Sequence, residues 1–194
     1  MAQENIKPSR IILIGGSAGS LNGVLSILPE LTGSLPFAVI IVLHRKPASE
    51  NILVHLLAAK TRLVVKEAEE KEPILPGHVY IAPADYHLLV EKEYSFSLDV
   101  SEKIHYSRPS IDVTFESAAE AFGPNALALL LSGANIDGAA GMQKIKACGG
   151  ICMVQEPGSA EVGVMPQQAI DTVAVDKILP IEKMAAWINE NLLI

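Results

Sequence analysis

Short apolar runs alternate with segments of helical periodicity along most of the chain. Nearly continuous apolar runs occupy residues 11–14, 37–43, 126–131 and 151–155, and the run 37–43 is rich in β-branched side chains. Runs of this kind are typical of strands buried on both faces of a parallel sheet. Between them, apolar positions recur every three or four residues, as in residues 21–28, and predict helices packed on that sheet. The alternation predicts an α/β fold: a doubly wound, three-layer αβα arrangement around a mostly parallel sheet.

The middle of the chain departs from this alternation. Residues 88–90 and 96–100 predict an antiparallel β-hairpin, and we expect the whole segment 77–100, including the apolar run 79–81, to be an antiparallel element attached to the parallel core. Short strands are also predicted at residues 63–65 and 173–175, and helices at residues 111–122, 139–147, 166–170 and 181–192.

A further helix is predicted to begin near Ser49. Ser49 or Glu50 is suited to its N-terminal cap, because a side-chain oxygen there accepts hydrogen bonds from unpaired amides. Its apolar positions at i, i+1, i+4 and i+5 predict a buried stripe made of Ile52, Leu53, Leu56 and Leu57.

Composition narrows the class of protein. A chain of 194 residues that is 49% hydrophobic, with no linker-like tract, predicts a single domain over residues 1–194. The net charge of -7 argues against nucleic acid as the main partner, because phosphate binding depends on clustered lysines and arginines. No uncharged apolar run approaches about 18 residues, and the first ten residues are polar, so neither membrane insertion nor a signal peptide is predicted.

The two cysteines favour the cytoplasm. Three residues separate Cys148 from Cys152, beside a Gly-Gly turn, and the chain has no other cysteine. Two such residues make a poor metal site and no disulfide framework, so we expect reduced thiols. Neither a metal nor a cofactor is predicted.

Candidate chemistry begins where the first apolar run ends. Residues 15–19, Gly-Gly-Ser-Ala-Gly, fit the pattern G-x-S-x-G between a strand and a helix. This pattern is typical of a nucleophile elbow, in which a sharp turn flanked by glycines exposes the Ser17 hydroxyl above the sheet. A phosphate-binding turn or a plain tight turn remains the alternative.

Two more polar residues follow apolar runs in the same way. His44 directly follows the run 37–43, and Asp137 lies in the loop after the run 126–131. Because ligands of open α/β sheets bind outside the carboxyl ends of the strands, Ser17, His44 and Asp137 can meet there as nucleophile, base and orienting acid. Taken singly, His44 could be a surface residue, and Asp137 could cap the helix that starts near Gly138.

Seven segments of the chain form a set of motifs: residues 14–20, 41–44, 65–68, 75–83 (Leu-Pro-Gly-His-Val-Tyr-Ile-Ala-Pro), 107–113 (Ser-Arg-Pro-Ser-Ile-Asp-Val), 131–142 and 165–170. Through these motifs the chain resembles the catalytic domain of the chemotaxis protein-glutamate methylesterase family, CheB-type. The resemblance implies a cytoplasmic enzyme that hydrolyses glutamate γ-methyl esters on chemoreceptor helices, releases methanol, and deamidates certain receptor glutamines.

The resemblance also implies roles for individual residues. The family's serine nucleophile, histidine and aspartate fall on Ser17, His44 and Asp137. A backbone amide that stabilises the oxyanion maps to Ala134, with the amide of Ala18 or of His44 as a second candidate.

The lining of the site departs from the family. Ala18 replaces a threonine, and Ala134, Asn135 and Ile136 replace Met-Gly-Asn before the aspartate. These changes keep open a catalytically weakened docking or scaffold domain of the same fold. A nucleotide-binding domain is a weaker alternative, because the spacing Gly16, Gly19 and Gly23 differs from G-x-G-x-x-G.

Two further expectations concern charge and regulation. Arg45, Lys46 and Arg108 could form a basic rim that attracts acidic receptor helices. Family members usually carry an N-terminal receiver domain, for which the first ten residues leave no room. We therefore expect a stand-alone esterase domain, controlled by a separate receiver protein or not at all, with a piece of a longer chain as the alternative.

Overall fold

Seven parallel strands form the central sheet of the computed structural model, which describes residues 7–31, 36–45 and 52–192. The strands in the described chain are β1 (Arg10–Gly16), β2 (Phe37–Leu43), β3 (Val64–Glu67), β4 (His78–Ile81), β5 (His87–Val90), β6 (Phe96–Asp99), β7 (Ala126–Leu130), β8 (Ile151–Gln155) and β9 (Lys177–Leu179). The helices in the same ranges are α1 (Ser20–Ile27), α2 (Ile52–Ala58), α3 (Ile111–Phe122), α4 (Ala139–Ala147), α5 (Val164–Thr172) and α6 (Ile181–Leu192). The sheet order is β3-β4-β2-β1-β7-β8-β9, and β5 and β6 form a separate antiparallel pair.

The order of the strands places a switch point at β1. The chain leaves β1 toward β2 on one side and returns to β7 on the other, and both pairings are parallel. In doubly wound sheets the crevice at such a point, outside the carboxyl ends of the strands, is where ligands bind. The loops after β1, β2 and β7 therefore converge on one place.

Helices cover both faces of the sheet, as predicted. Alternate residues of β1 point to opposite faces, so Ile12 and Ile14 pack with α1 and α6, whereas Ile11 and Leu13 pack with α3 and α4. All four side chains are fully buried, and burial of each stabilises the fold by about 1.5–3 kcal/mol. The doubly buried strands predicted from the apolar runs are thus confirmed.

The hairpin is confirmed, but its predicted extent is wrong. β4, which lies within the segment expected to be antiparallel, pairs parallel with both β2 and β3. Val79, Tyr80 and Ile81 are fully buried, because β4 has neighbours on both sides and is covered on both faces. The antiparallel element therefore begins at His87 and not at residue 77.

The buried stripe predicted for α2 is also wrong. Ile52 is 68% exposed and Leu56 is 38% exposed, whereas Leu57 is buried beside the half-buried Leu53 and Val54. The helix has only seven residues and precedes the edge strand β3, so only a narrow stripe of its surface packs against the sheet. Its predicted caps, Ser49 and Glu50, lie outside the described residues.

The last strand is displaced from its predicted position. β-Branched residues predicted it at 173–175, but Val173 ends α5 by donating its amide hydrogen to the Ala169 carbonyl. The strand β9 follows at Lys177–Leu179 and pairs with β8. Helix α5 itself extends beyond the predicted 166–170 in both directions.

Candidate active site

The turn after β1 holds Ser17 by its backbone. The Ser17 amide donates to the Ser132 carbonyl at 2.9 Å, and the Ser17 carbonyl accepts from the amide and hydroxyl of Ser20 at 3.1 and 2.6 Å. Gly19 has φ 78° and ψ −7°, the values of the third residue of a type II turn. The left-handed backbone of this turn therefore lies at Gly19, two residues after the serine, rather than at the serine itself.

The two glycines before Ser17 are required by close packing. A Cβ on Gly16 would lie 2.4 Å from the Cβ of Ser20, and one on Gly15 would lie 2.5 Å from a methyl carbon of Ile111. No side chain fits at such distances. Gly15 therefore lets α3 approach the end of β1, and Gly16 lets the chain fold back beside the serine.

Ser17 and His44 stand at the ends of adjacent strands. The register pairs Gly16 with Leu43, and the His44 amide donates to the Gly16 carbonyl at 3.2 Å. Neighbouring strands are about 4.8 Å apart, so the two residues leave the sheet side by side. The Ser17 hydroxyl is half-buried and makes no hydrogen bond with any residue that the structure describes.

His44 and Asp137 are in direct contact. The His44 Nε2 atom lies 2.7 Å from Asp137 Oδ2, with the histidine side chain 10% exposed and the aspartate fully buried. A carboxylate only accepts hydrogen bonds, so Nε2 carries the proton and Nδ1 keeps its lone pair. That second nitrogen is the one available to act as a base.

Asn135 contacts the same imidazole from its other side. Its Nδ2 atom lies 3.3 Å from His44 Nδ1, and its Oδ1 atom accepts a hydrogen bond from the Asp137 amide at 3.1 Å. The second bond fixes which end of the Asn135 amide faces the ring. The Asn135 side chain therefore donates to the nitrogen that would serve as base.

The Asp137 carboxylate lies at the N-terminus of α3. It accepts hydrogen bonds from the Ser110 hydroxyl at 2.9 Å, the Ile111 amide at 2.7 Å and the Asp112 amide at 3.0 Å. Burial alone would raise the pKa of Asp137, but the bonds from His44 and from these amides outweigh it and hold the pKa below its ordinary value. Asp137 is thus kept ionised beside the imidazole.

This placement corrects the alternative role considered for Asp137. Helix α4 has Gly138 at its N-cap, with φ 100° and no side-chain cap. The carboxylate of Asp137 turns instead toward α3, where Ser110 is the N-cap residue. Asp137 therefore caps a helix whose first residue, Ile111, lies 26 residues before it in the sequence.

Asp112 makes the reciprocal connection. It belongs to α3, and its Oδ1 atom accepts hydrogen bonds from the Gly138 and Gly141 amides at 2.8 and 2.7 Å, at the start of α4. Each helix is thus capped by a carboxylate from the segment of the other. Burial, reinforced by the nearby negative charge of Asp137, raises the pKa of Asp112 from 3.8 to about 6.

Replacing Asp112 with asparagine should stabilise the protein near neutral pH. A carboxyl whose folded pKa is raised ionises more easily in the unfolded chain, so its cost to the fold grows as pH rises from about 4 to about 6 and is constant above. Asparagine retains an oxygen for the two glycine amides without the charge. We expect the free energy of unfolding to rise by about 1–2 kcal/mol at pH 8 and to be unchanged at pH 4, measured by urea denaturation.

The matched control is Glu116→Gln, which removes an exposed carboxylate from the same helix. Its unfolding curve should follow that of the wild type at both pH values. A less stable Asp112→Asn protein at pH 8 would contradict the prediction, because it would mean that the fold favours the ionised carboxylate.

The candidate oxyanion donors differ in their availability. The His44 amide, one of the two alternatives for a second donor, is engaged with the Gly16 carbonyl, so it is excluded. The amides of Ala18 and Ala134 make no hydrogen bond within the described chain, and both residues are exposed. These two remain the candidate donors.

A cleft of about 330 Å³ opens beside His44. Its lining residues are His44, Arg45, Asp85, Lys103, Tyr106, Ser107 and Arg108. Arg45 forms an ion pair with Glu67, and Arg108 Nη1 donates to the carbonyls of Val100 and Ser101 at 2.7 and 2.8 Å. Two of the three residues predicted for the basic rim therefore line this cleft; the third, Lys46, lies outside the described residues.

Two general features of the described chain are relevant to its class. Among helices in those residues, none combines the length and apolarity required to cross a bilayer. No group of three or more histidine, cysteine or carboxylate side chains in the same residues is arranged to hold a metal ion.

The fold and the site define a class of protein. It is a doubly wound α/β domain with a turn serine, a histidine and a buried aspartate gathered at the switch point of a parallel sheet. The model of the CheB methylesterase family matches residues 12–188. The chain belongs to the CheB methylesterase family.

Individual relatives agree with this assignment. A candidate protein-glutamate methylesterase/protein-glutamine glutaminase of Leptospira interrogans is 44% identical over 174 residues, which are 90% of each chain. A protein-glutamate methylesterase/protein-glutamine glutaminase of Burkholderia pseudomallei is 36% identical over 96% of this chain but only 52% of its own length. The crystal structure of the Thermotoga maritima CheB methylesterase catalytic domain has a TM-score of 0.89 and 34% identity, covering 93% of this chain and 97% of that one.

Proposed function

We propose that this chain hydrolyses γ-methyl esters of glutamate side chains in a protein substrate, with Ser17 as nucleophile, His44 as base and Asp137 as the acid that orients the histidine. The observation that carries the proposal is the 2.7 Å bond between His44 Nε2 and a buried carboxylate that is kept ionised. This bond selects the tautomer in which Nδ1 can accept a proton and stabilises the imidazolium that follows.

The reaction takes place in two halves. Ser17 Oγ bonds to the ester carbonyl carbon while its proton passes to His44 Nδ1, and the amides of Ala18 and Ala134 are the donors for the resulting oxyanion. The carbon–methoxy bond then breaks, and the methoxy oxygen takes the proton from His44 and leaves as methanol. Water next attacks the glutamyl-serine ester with His44 again as base, which restores Ser17 and leaves a free γ-carboxylate.

Asn135 must release its hydrogen bond to His44 during the first half of the reaction. Its amide donates to His44 Nδ1 in this structure, at 3.3 Å. The Ser17 hydroxyl can reach that lone pair only when the Asn135 hydrogen bond is released. Hydrogen bonds in the resting state of an active site often rearrange in this way when substrate binds.

The substrates we propose are chemoreceptor cytoplasmic helices, with glutamine deamidation as a second reaction at the same site and the cytoplasm as the location. The names of the relatives, which couple methylesterase and glutaminase activities, support both reactions. The same attack on a glutamine side chain would release ammonia in place of methanol.

The direct test is methanol release from receptor carrying labelled methyl esters. Wild-type protein alone should release labelled methanol, and the rate should fall on acidification, because a protonated imidazole cannot accept the serine proton. A rate that stays flat between about pH 5 and 8 would exclude a histidine base.

The second candidate is a docking or scaffold domain of the same fold with little turnover. The contact of Asn135 with His44 Nδ1 favours it, because a permanently engaged base cannot activate the serine. A serine-directed fluorophosphonate probe separates the two. Labelling of the wild type indicates an activated serine, whereas absence of labelling at neutral pH favours the scaffold.

A further inference from the structure

The segment between β6 and α3 carries a turn whose backbone is costly. Ile104 and Ser107 exchange two backbone hydrogen bonds at 3.2 and 2.8 Å, and the two residues between them, His105 and Tyr106, have φ of 48° and 63°. Turns of this kind prefer glycine or asparagine, because a side chain destabilises left-handed backbone. Strain of this kind concentrates at sites that bind ligands.

The turn presents Tyr106 to solvent. Its side chain is 98% exposed, more than any other large hydrophobic side chain in the described residues, and it lines the cleft beside His44. An aromatic ring has a large apolar area to bury and loses little conformational freedom when it does so. In this position the ring gains nothing from the fold, but it is placed to pack against a molecule that enters the cleft.

The cations around the cleft are not equivalent. Arg45 is neutralised by Glu67, and Arg108 is engaged with two carbonyls that hold its own loop. Lys103 is exposed and forms no ion pair with any residue in the described ranges. The lining also holds the carboxylate of Asp85, and the bonds of Arg108 to neutral carbonyls leave its charge in place. The cleft is therefore net positive, and Lys103 is the cation free to move toward an incoming molecule, although the chain as a whole carries a net charge of -7.

We propose that residues 103–107, the recognition turn, select the substrate: Tyr106 packs on the aliphatic part of the segment that carries the methyl ester, and Lys103 pairs with a carboxylate beside that ester. This inference rests on the proposed esterase function and specifies its substrate as an acidic protein segment. Charge complementarity supports that choice, because the cleft adjoining His44 concentrates cations on an otherwise acidic protein.

The test compares turnover on three substrates. Two peptides carry one glutamate methyl ester, flanked by glutamates in one and by glutamines in the other, and the third substrate is p-nitrophenyl acetate. Lys103→Ala should lower kcat/KM about fivefold for the glutamate-flanked peptide only, and added salt should reduce the same rate in the wild type. Tyr106→Ala should lower kcat/KM about tenfold for both peptides. Neither variant should change the hydrolysis of p-nitrophenyl acetate.

Two matched variants control for general effects. Lys60→Ala removes an exposed lysine between α2 and the start of β3. It lies at the amino ends of the strands, whereas His44 lies at their carboxyl ends. Ile178→Ala removes a side chain that is 44% exposed on the distant strand β9. Both should match the wild type on all three substrates, and thermal unfolding confirms that every variant is folded.

Peptide binding separates this inference from the proposed function. In a Ser17→Ala background, fluorescence anisotropy should show that Lys103→Ala weakens binding of the glutamate-flanked peptide and that Tyr106→Ala weakens binding of both. Peptide that binds in this way to a wild type that releases no methanol would overturn the hydrolysis and support the recognition turn. Equal binding and equal turnover across all the variants would overturn the recognition turn and leave the hydrolysis standing.

Discussion

Replacing Ser17 with alanine should lower methanol release on the order of 10⁵-fold while leaving the stability of the fold unchanged. The loss is large because nucleophile, base and acid act as a unit, so removing the hydroxyl removes the acyl-enzyme route altogether. The stability should change by less than about 0.5 kcal/mol, because the Ser17 hydroxyl bonds to no residue that the structure describes. The backbone bonds that hold the turn, from Ser17 to Ser132 and from Ser20 to Ser17, do not depend on the side chain.

The measurement pairs single-turnover kinetics with fluorophosphonate labelling and urea denaturation. Ser26→Ala is the matched control, because Ser26 is an exposed serine on α1 whose hydroxyl bonds only to the Asn22 carbonyl of its own helix. It should retain full labelling and turnover. Labelling or methanol release that persists in Ser17→Ala would assign the reaction to another residue.

The strands that surround the site could be predicted from sequence because strands buried on both faces consist almost entirely of apolar residues. β2 and β8 match the predicted bounds, since strands covered on both faces are apolar at nearly every position. β4 and β9 are shorter, and their apolar residues are too few to indicate which neighbour each one pairs with. The buried face of α2 was mispredicted for the same reason, because a helix of seven residues at the edge of a sheet has too few positions to show which of its faces is covered.

The candidate catalytic residues were predictable for a topological reason. Ser17 and His44 are the first polar residues after β1 and β2, so parallel pairing alone places them side by side. The contact of Asn135 depends instead on the path of the loop before α4, and that of Asp112 on how α3 approaches this loop, which no local spacing encodes. The one signal available in the sequence was the segment 107–113. It places two side chains that can accept hydrogen bonds, Ser110 and Asp112, at the start of a helix.

Replacing Asp137 should impair both catalysis and folding, which distinguishes it from Ser17. In Asp137→Ala, four donors lose their acceptor in a buried site: His44 Nε2, the Ser110 hydroxyl, and the amides of Ile111 and Asp112. Each buried donor left unsatisfied costs about 1–3 kcal/mol, so with partial relaxation we expect a loss of about 3–5 kcal/mol in the free energy of unfolding. Turnover should fall about 10⁴-fold, because the imidazole loses the acceptor that selects its tautomer.

Asp137→Asn separates the two roles of this side chain. Asparagine keeps one carbonyl oxygen for the α3 amides but removes the charge, so it should recover most of the lost stability and little of the turnover. The loss of folding stability at acidic pH supplies an independent measure of what the Asp137 carboxylate contributes. A carboxyl with a lowered folded pKa contributes stability that is present above its unfolded pKa and is lost as pH falls through the folded value.

Urea denaturation between about pH 2 and 7 should therefore show a steeper loss of stability in the wild type than in Asp137→Asn as the solution becomes acidic. The contribution of Asp112 has the opposite sign, because the pKa of that carboxyl is raised, and it shrinks in Asp137→Asn because the charge of Asp137 is one cause of the rise. Both curves are therefore recorded in an Asp112→Asn background, where their difference isolates Asp137. Parallel curves would mean that neither His44 nor the α3 amides hold the carboxyl ionised. An Asp137→Asn protein that keeps wild-type turnover would mean that the carboxylate serves α3 only as a cap and that His44 is oriented by Asn135 alone.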